Sequence, residues 1–233
     1  MEQACYWLAA RRTNPTGPLT GDSRSDIAIV GAGLTGLWTA IFLKQMDPAV
    51  SVVILEQETA GYGASGRNAG IVSETLDHSH ELAVAHFGEA EARELARLGR
   101  ENLDELERFL AEKGIDAEFV REGQLVMALT PAHVAELEAS ASFAGRLGIH
   151  DWRFLSAKEA REEVDSPLFL GALRMPRSGV LHPIKLLEGL RSEAMRSGVR
   201  LFERTAVRSI LPSEKGVEIR LSRGTVVSEK AVL

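Results

Sequence analysis

The stretch IAIVGAGLTG, residues 27–36, decides the fold of this chain. An apolar run rich in β-branched residues leads into Gly31, Gly33 and Gly36, which have the spacing G-x-G-x-x-G. This pattern predicts a buried strand that turns directly into a helix, with Gly31 in the tight turn and Gly36 where helix and strand pack closely. Gly33 lets the backbone approach a pyrophosphate, and the helix N-terminus offers the phosphates unpaired N–H groups and a partial positive charge.

The residues after the glycines strengthen this interpretation. Residues 37–43 continue as an apolar helical stripe, and SVVIL at 51–55 predicts a second buried strand. That strand leads into Glu56, about 20 residues past the last glycine, where the fingerprint places the acid that binds ribose hydroxyls. We therefore predict an adenine-dinucleotide site, in which the acid disfavours NADP and leaves FAD and NAD open. The alternative is an ordinary βαβ unit with a surface glutamate.

The loop GYGASGRNAG at 61–70 is a second candidate for binding. It consists mainly of Gly, Ala and Ser, which allow the backbone to approach a flat or charged ligand closely. Arg67 and Asn68 could orient such a ligand through hydrogen bonds. The composition alone would equally suit a flexible surface loop. Its position directly after the acid-bearing strand favours a binding role.

Three segments together resemble a known family. They are Cys5-Tyr6-Trp7 ahead of a Pro-containing leader, GASGRNAG at 63–70, and GVLHP at 179–183. The chain resembles the FAD-dependent amine and amino-acid oxidoreductases related to D-amino-acid oxidase, sarcosine oxidase and glycine oxidase, and within them the γ-glutamylputrescine-oxidase-like branch. In that branch the flavin loop often reads G-A-S-G-R-N-G-G, so Ala69 replaces a glycine here. The resemblance implies FAD as the cofactor.

The resemblance also implies an α/β fold in which a Rossmann-type FAD-binding domain is interleaved with part of an α+β substrate domain, its C-terminal part missing. We expect a leader at 1–25, FAD-binding segments at 26–80 and 179–233, and part of the substrate or cap domain at 81–178. The chain ends within an apolar, strand-like run at 231–233. We therefore expect an N-terminal fragment that covers this edge by self-association or with a partner chain.

The activity implied by the resemblance is oxidation of a C–N bond in a small amine or amino acid, with hydride transfer to flavin and oxygen or another acceptor reoxidising it. No catalytic residue is assigned. A non-catalytic FAD-binding subunit and an NAD-dependent dehydrogenase are the alternatives. Val207 is expected to contact the adenine through its backbone. The complete set of expected FAD-binding residues is Gly31, Ala32, Gly33, Leu34, Thr35, Gly36, Glu56, Gln57, Ala64, Ser65, Gly66, Arg67, Asn68, Ala69, Gly70 and Val207.

Composition narrows the remaining function classes. The chain has 233 residues, 45% of them hydrophobic and 26% charged, which is typical of a globular protein. Its net charge of −6 and the lack of a basic block disfavour nucleic acid as a partner. No apolar run approaches the ~20 residues of a membrane span, and no secretory signal is evident. Cys5 is the only cysteine, which suits a cytoplasmic location and excludes disulfides within the chain.

The rest of the sequence predicts helices and strands without a second nucleotide fingerprint. We expect helices over 81–113 with a break at Gly88, strands near 119–120 and 125–129, and a small antiparallel meander after a strand at 199–203. Helix caps are expected at Thr130 and Ser156, the latter in a capping box with Glu159.

Two histidine positions are weaker candidates for chemistry. His78 and His80 form an H-x-H pair, but no third ligand has a recognised spacing, so we expect exposed polar residues and no metal site. His182 precedes Pro183, where it is expected to cap a helix. A role facing the substrate is the alternative, because relatives carry a histidine there.

Overall fold

The computed structural model describes residues 5–9, 11–12, 14–75, 79–214 and 216–233. The chain divides into two compact units. The first unit consists of Met1–Gly70, Lys113–Glu118 and His182–Leu233, and the second of Ile71–Glu112 and Phe119–Leu181. The domain boundaries expected from the sequence stay a prediction. The two units differ from them mainly in the 71–80 segment and in the short return at 113–118.

The described residues contain both helices and strands. The helices are α1 (Tyr6–Ala9), α2 (Leu34–Met46), α3 (His80–Phe87), α4 (Glu89–Lys113), α5 (Pro131–Arg146), α6 (Ala157–Glu163) and α7 (Pro183–Arg196). The strands are β1 (Ser23–Val30), β2 (Val52–Leu55), β3 (Ile71–Val72), β4 (Gln124–Ala128), β5 (Arg153–Ser156), β6 (Gly171–Met175), β7 (Gly179–Val180), β8 (Arg200–Phe202), β9 (Val207–Ser213), β10 (Gly216–Leu221) and β11 (Gly224–Val232). Within the described residues, none of the helices combines the length and apolar character that crossing a membrane requires.

The first unit is built on a six-stranded sheet with the order β8-β2-β1-β11-β10-β9. The pairs β8–β2, β2–β1 and β1–β11 are parallel, whereas β11, β10 and β9 form an antiparallel meander. All four residues of β2 are buried, as expected for a parallel strand covered on both faces. This sheet confirms the α/β class and the meander that the sequence predicts.

One strand joins the parallel and antiparallel parts of this sheet. The N-terminal half of β11 pairs with β1 on one side and with β10 on the other. Ser25 and Ser228 are paired across β1 and β11, and their buried hydroxyls lie 2.7 Å apart in a hydrogen bond. Ala28, Val53 and Val226 belong to the apolar cluster of this sheet and are completely buried. The sheet therefore has one continuous core from β2 to the meander.

Helix α2 packs closely against the turn that precedes it. Leu37, Ala40 and Ile41 are buried, in agreement with the apolar stripe in the sequence. A Cβ atom on Gly36 would lie 2.1 Å from the Gly31 carbonyl oxygen, a distance that no side chain tolerates. Gly36 is therefore required for helix packing, which is the role that the fingerprint predicts for it.

The second unit has its own small sheet. Strands β4, β6 and β5 form an antiparallel sheet in that order, and β3 pairs with β7 separately. Leu155, Ala160 and Ala172 form a buried cluster in which α6 packs on the sheet. The Glu74 carboxylate is buried and accepts a hydrogen bond from the Trp152 indole at 2.8 Å. Its other oxygen lies 3.2 Å from Nε of Arg100 in an ion pair, so both oxygens have a polar neighbour inside the unit.

Local signals in the second unit and the strand expected at 125–129, observed as β4, are confirmed, whereas β3, β5, β6 and β7 were not predicted. Gly88, with a φ of 82°, separates α3 from α4. Thr130 and Ser156 cap α5 and α6, the latter within a complete capping box. The strand expected at 119–120 is reduced to a single bridge between Val120 and Val180. Strands β5 and β6 have four and five residues, which is too short for an alternating pattern to be recognised in the sequence.

Gly36→Ala tests the packing of α2. Alanine is favoured over glycine inside a helix by about 1 kcal/mol, so helix propensity alone predicts a more stable protein. We expect the opposite, a loss of about 1–3 kcal/mol or more, because the new methyl group meets the Gly31 carbonyl. Thermal unfolding followed by circular dichroism measures the difference.

Gly63→Ala is the matched control for this substitution. A Cβ atom at Gly63 has no neighbour within 4 Å, and its φ of −73° lies outside the left-handed region that favours glycine. We expect the control to unfold within a few degrees of the wild type. Equal stability of Gly36→Ala and Gly63→Ala would contradict the close packing described for α2.

Candidate cofactor site

The turn between β1 and α2 has the geometry of an anion-binding turn. Gly31 has a φ of 103°, which glycine adopts without strain, and its N–H donates to the Leu55 carbonyl at 2.8 Å. Gly33 is the N-cap of α2 and brings no side chain to cap the helix. The first turn of α2 also contains no acidic residue. The positive end of the helix dipole is therefore not neutralised by a carboxylate of its own first turn.

Glu56 lies beside this glycine turn. Strands β1 and β2 are parallel neighbours with Val30 paired to Leu55, so their carboxyl ends meet at the same edge of the sheet. One carboxylate oxygen of Glu56 accepts from the Ala32 N–H at 2.7 Å, and the other accepts from the Glu58 N–H at 2.8 Å. Glu56 remains partly exposed. The structure thus brings the predicted ribose-binding acid to the predicted turn.

The loop at 61–70 is attached directly to the same turn. The Gly61 N–H donates to the Ala32 carbonyl at 2.9 Å, and the Ser65 hydroxyl accepts from the Leu34 N–H at 3.0 Å. Ser65 therefore caps α2 from outside the helix, where Gly33 supplies no side chain. A Cβ atom on Gly33 would lie 3.0 Å from the Ser65 oxygen. Two segments that the sequence singled out separately form one continuous surface.

Glycines let this loop pack on helix α7. The Gly61 φ of 72° favours glycine, and a Cβ atom there would lie 2.4 Å from a methyl group of Leu187. A Cβ atom on Gly66 would lie 2.1 Å from the Gly61 carbonyl and 2.9 Å from Ile184. These two glycines therefore serve the compactness of the loop. A short 3₁₀ turn within the loop spans Ala64–Gly66.

Arg67 and Asn68 hold the loop in shape. The Arg67 side chain donates through Nε to the Tyr62 carbonyl at 2.7 Å, and its guanidinium carbon lies 4.6 Å from the centre of the Tyr62 ring. The Asn68 amide donates to the Ser65 carbonyl at 2.8 Å and accepts from the Gly70 N–H at 2.9 Å. Both side chains are exposed. Their expected role in orienting a ligand stays a prediction, while their role inside the loop is visible.

Val207 is the first residue of β9 and is partly buried. The chain just before it is fixed to the exit of β2, because the Thr205 N–H donates to the Glu56 carbonyl at 2.8 Å. The Arg204 N–H likewise donates to the Glu58 carbonyl at 2.8 Å, and Arg204 has a φ of 55°. These bonds hold residues 204–205 against the exit of β2. The expected contact between Val207 and an adenine stays a prediction, as do the roles of Thr35, Gln57 and Ala69.

Glu203 is a buried acid that the sequence analysis did not single out. It follows β8, its exposure is 0%, and one oxygen accepts from the Ala60 N–H at 2.7 Å. The other oxygen accepts from the Thr16 N–H at 2.5 Å and from the Arg191 guanidinium at 2.9 Å. A signal was present in the sequence: an acid follows an apolar strand here, as Glu56 follows β2.

Hydrogen bonding decides the ionisation of Glu203. Burial raises the pKa of its carboxyl group, but the N–H donors of Ala60 and Thr16 and the charge of Arg191 outweigh burial and hold the pKa below its ordinary value of 4.5. Glu203 is therefore an ionised carboxylate at neutral pH. Its charge is compensated inside the protein by Arg191.

The histidine candidates have separate outcomes. His182 caps α7, its Nδ1 accepting from the Lys185 N–H at 3.3 Å, and its ring lies 4.8 Å from that of Trp7. This confirms the capping prediction. His78 lies outside the described residues, whereas His80 is buried at 7% exposure with its ring 5.0 Å from that of Trp152, so the expectation that it is exposed is wrong. Within the described residues, no group of three or more His, Cys, Asp or Glu side chains is arranged to hold a metal ion.

Comparison with known proteins identifies the family and the fold that this chain is similar to. The sequence profile of the DAO family, described as FAD dependent oxidoreductase, matches residues 26–233. The chain is 28% identical over 228 residues to gamma-glutamylputrescine oxidoreductase of Escherichia coli (strain K12), which covers 98% of this chain and 53% of that protein. Glycine oxidase from Geobacillus kaustophilus has a TM-score of 0.72 at 26% identity, over 90% of this chain and 54% of that one. Glycine oxidase from Bacillus cereus has a TM-score of 0.73 at 25% identity, over 89% and 54%. The chain spans about half the length of the curated relatives it matches.

Ser65→Ala tests the attachment of the loop to α2. The substitution removes the only side-chain acceptor that the described residues offer to the Leu34 N–H. Loss of an N-terminal cap costs about 1 kcal/mol, so the unfolding midpoint should fall by a few degrees. Ser192→Ala is the control, since Ser192 only donates to the Glu188 carbonyl within its own helix. A similar loss in both variants would argue against the capping role.

The dependence of stability on pH tests the ionised state of Glu203. Because its pKa is lowered in the folded protein, Glu203 stabilises the fold above pH 4.5, and this contribution is lost as pH falls through the lowered pKa. Unfolding midpoints of wild type and Glu203→Gln should differ at pH 7 and converge as pH falls through the lowered pKa of Glu203. A difference that grows on acidification would contradict the assignment.

Proposed function

This chain belongs to the DAO family of FAD-dependent oxidoreductases, and we propose that its glycine turn and the loop at 61–70 bind FAD. The observation that carries the proposal is the hydrogen bond between the Leu34 N–H and the Ser65 hydroxyl. It joins the fingerprint turn to the loop that resembles a flavin loop. A nicotinamide dehydrogenase would use the turn but has no flavin for the loop to bind, so the NAD alternative is disfavoured.

The residues at the turn fit the pyrophosphate and the adenosine ribose of an adenine dinucleotide. Gly33 has no side chain at the N-cap, and α2 begins without an acidic residue, which suits a pyrophosphate. Glu56 is partly exposed and carries two acceptor oxygens next to the turn, which suits ribose hydroxyls. Its bond to the Ala32 N–H also holds the carboxylate beside the turn.

The loop at 61–70 would hold the flavin half of the cofactor. Its backbone is fixed at Gly61 and Ser65, and the bonds of Arg67 and Asn68 keep it compact. Its exposed small residues leave room for a flat ring to approach. When bound, FAD supplies the oxidant for removal of two electrons from the substrate. The part played by the described residues is to bind and orient that cofactor.

We propose a C–N bond in a small amine or amino acid as the bond that is oxidised. The names of two similar proteins support this substrate class, one a gamma-glutamylputrescine oxidoreductase and the other a glycine oxidase. Hydride transfer to the flavin, with oxygen or another acceptor reoxidising it, is the reaction we propose. The chain spans about half of these relatives, so turnover is proposed for the whole protein.

A FAD-binding chain that needs a partner chain for turnover is the second candidate. It is favoured by the half-length match, because a cofactor site and a complete substrate site need not lie on the same length of chain. Bound flavin without oxidation of any amine or amino acid by the purified chain would support this candidate. Turnover by the purified chain would exclude it.

Purified wild-type protein should absorb in the flavin bands and release FAD that mass analysis identifies. Glu56→Ala removes the proposed acceptor for the ribose hydroxyls, a charged-group hydrogen bond of about 1.5–3 kcal/mol, so the FAD dissociation constant should rise about 10- to 100-fold. Flavin fluorescence quenching, titrated against the apoprotein, measures this change.

Glu58→Ala is the matched control for Glu56. It removes a carboxylate two positions along the chain, while the Glu58 backbone groups keep their bonds to Glu56 and Arg204. We expect FAD affinity within about twofold of the wild type, since this exposed side chain has no assigned role. A colourless protein that responds to NADH would refute the FAD assignment.

A further inference from the structure

Residues outside the glycine fingerprint bind Ala60, the residue directly before the loop at 61–70. Both backbone groups of Ala60 are bound: its N–H donates to Glu203 at 2.7 Å, and its carbonyl accepts from the Arg11 guanidinium. Ala60 itself is 3% exposed. The next residue, Gly61, donates to the Ala32 carbonyl. The loop therefore begins at a residue whose backbone N–H and carbonyl are both fixed by hydrogen bonds.

Glu203 connects this fixed peptide to three other segments. Its second oxygen accepts from both the backbone N–H and the hydroxyl of Thr16, in the leader. The same oxygen accepts from Arg191 of α7, and Arg191 also donates to the Asn14 carbonyl at 3.2 Å. The leader, α7, the end of β8 and the start of the loop thus meet at a single carboxylate.

The leader also touches the loop at a second point. The Cys5 thiol lies 3.8 Å from the Gly66 carbonyl oxygen, within hydrogen-bonding distance for sulfur. A Cβ atom on Gly66 would lie 3.2 Å from a methyl group of Leu8 in α1. The leader is thus in contact with both the start and the middle of the loop. Its contact at Ala60 is made by a guanidinium group, and its contact at Gly66 is made by a thiol.

We propose that Glu203 is a positioning residue for the flavin loop, acting with Arg11 through the Ala60 peptide. The inference rests on the proposed function and goes beyond it, because neither residue belongs to the fingerprint or to the loop. Glu203 is completely buried, so it acts through the backbone it binds. Fixing Ala60 in advance places Gly61 and Ser65 on the glycine turn and lowers the ordering cost of cofactor binding.

Glu203→Gln tests this role, with Glu193→Gln as its control. Glutamine keeps one acceptor oxygen but turns an N–H₂ donor towards Arg191 or the N–H groups. Glu193 is a matched control, because it is also buried, at 6% exposure, and ion-paired with Lys113 and Arg196 away from the loop. Both variants should lose stability, so stability alone does not separate a positioning role from a structural one.

Two readouts separate these roles. The FAD dissociation constant should rise about tenfold or more in Glu203→Gln and stay within about twofold in Glu193→Gln. Amide hydrogen exchange of residues 60–70, measured on the apoprotein, should become at least about tenfold faster in Glu203→Gln only. Equal FAD affinity and equal exchange in the two variants would overturn the proposal.

Arg11→Met provides a second route if Glu203→Gln does not fold. It removes the guanidinium bound to the Ala60 carbonyl and leaves the buried pair of Glu203 and Arg191 intact. Arg12→Met, at the exposed neighbouring position, is its control. Faster exchange at residues 60–70 in Arg11→Met alone supports the proposal, and identical exchange in both variants contradicts it.

The exchange experiment also separates this inference from the proposed function. A wild-type chain that takes up no FAD would contradict the proposed function. Exchange at residues 60–70 needs no cofactor, so it still decides whether Glu203 positions the loop. Loss of FAD affinity in Glu203→Gln with unchanged exchange in the loop would overturn the route through Ala60.

Discussion

The absence of a side chain at Gly36 is the constraint on which the proposed nucleotide site depends. Only hydrogen at this position lets α2 approach the Gly31 carbonyl, since a Cβ atom would lie 2.1 Å from that oxygen. The close approach brings the N-terminus of α2 to the carboxyl edge of β1. There the Leu34 N–H meets Ser65, and the Ala32 N–H meets Glu56. A helix displaced from the turn would lose both contacts, and the loop and the acid would no longer share a site.

Two acidic residues follow neighbouring parallel strands, and their different surroundings give them different roles. Glu56 follows β2, is partly exposed, and accepts hydrogen bonds from the backbone N–H groups of Ala32 and Glu58. Its oxygens can therefore exchange partners with a ligand at little electrostatic cost. Glu203 follows β8, is completely buried, and is neutralised by Arg191. Separating that pair inside the protein would leave an unpaired buried charge, so Glu203 remains with its partners and serves the structure around the site.

The sequence predicted those parts of the site that have local signals. The glycine fingerprint, Glu56 and the resemblance at 63–70 led to the DAO family, which the profile match confirms. Caps at Thr130 and Ser156 were predictable because their partners lie three residues away. The Glu203 contacts were not, because Ala60 and Thr16 are 143 and 187 residues distant in sequence. Asn68 is a second example of contacts that the sequence did not predict. The composition of the loop suggested a ligand-binding side chain, whereas the structure shows hydrogen bonds to Ser65 and Gly70.

The loop at 61–70 shows how a segment of small residues becomes a defined surface. Gly, Ala and Ser restrict the backbone little, and ordering each residue costs about 1–2 kcal/mol of backbone entropy. The structure offsets this cost at several points: Glu203 and Arg11 hold Ala60, Ser65 binds α2, and Asn68 closes the end of the loop. Each of these bonds joins groups of the protein itself. Bonds of this kind lower the entropy cost that cofactor binding would otherwise have to meet.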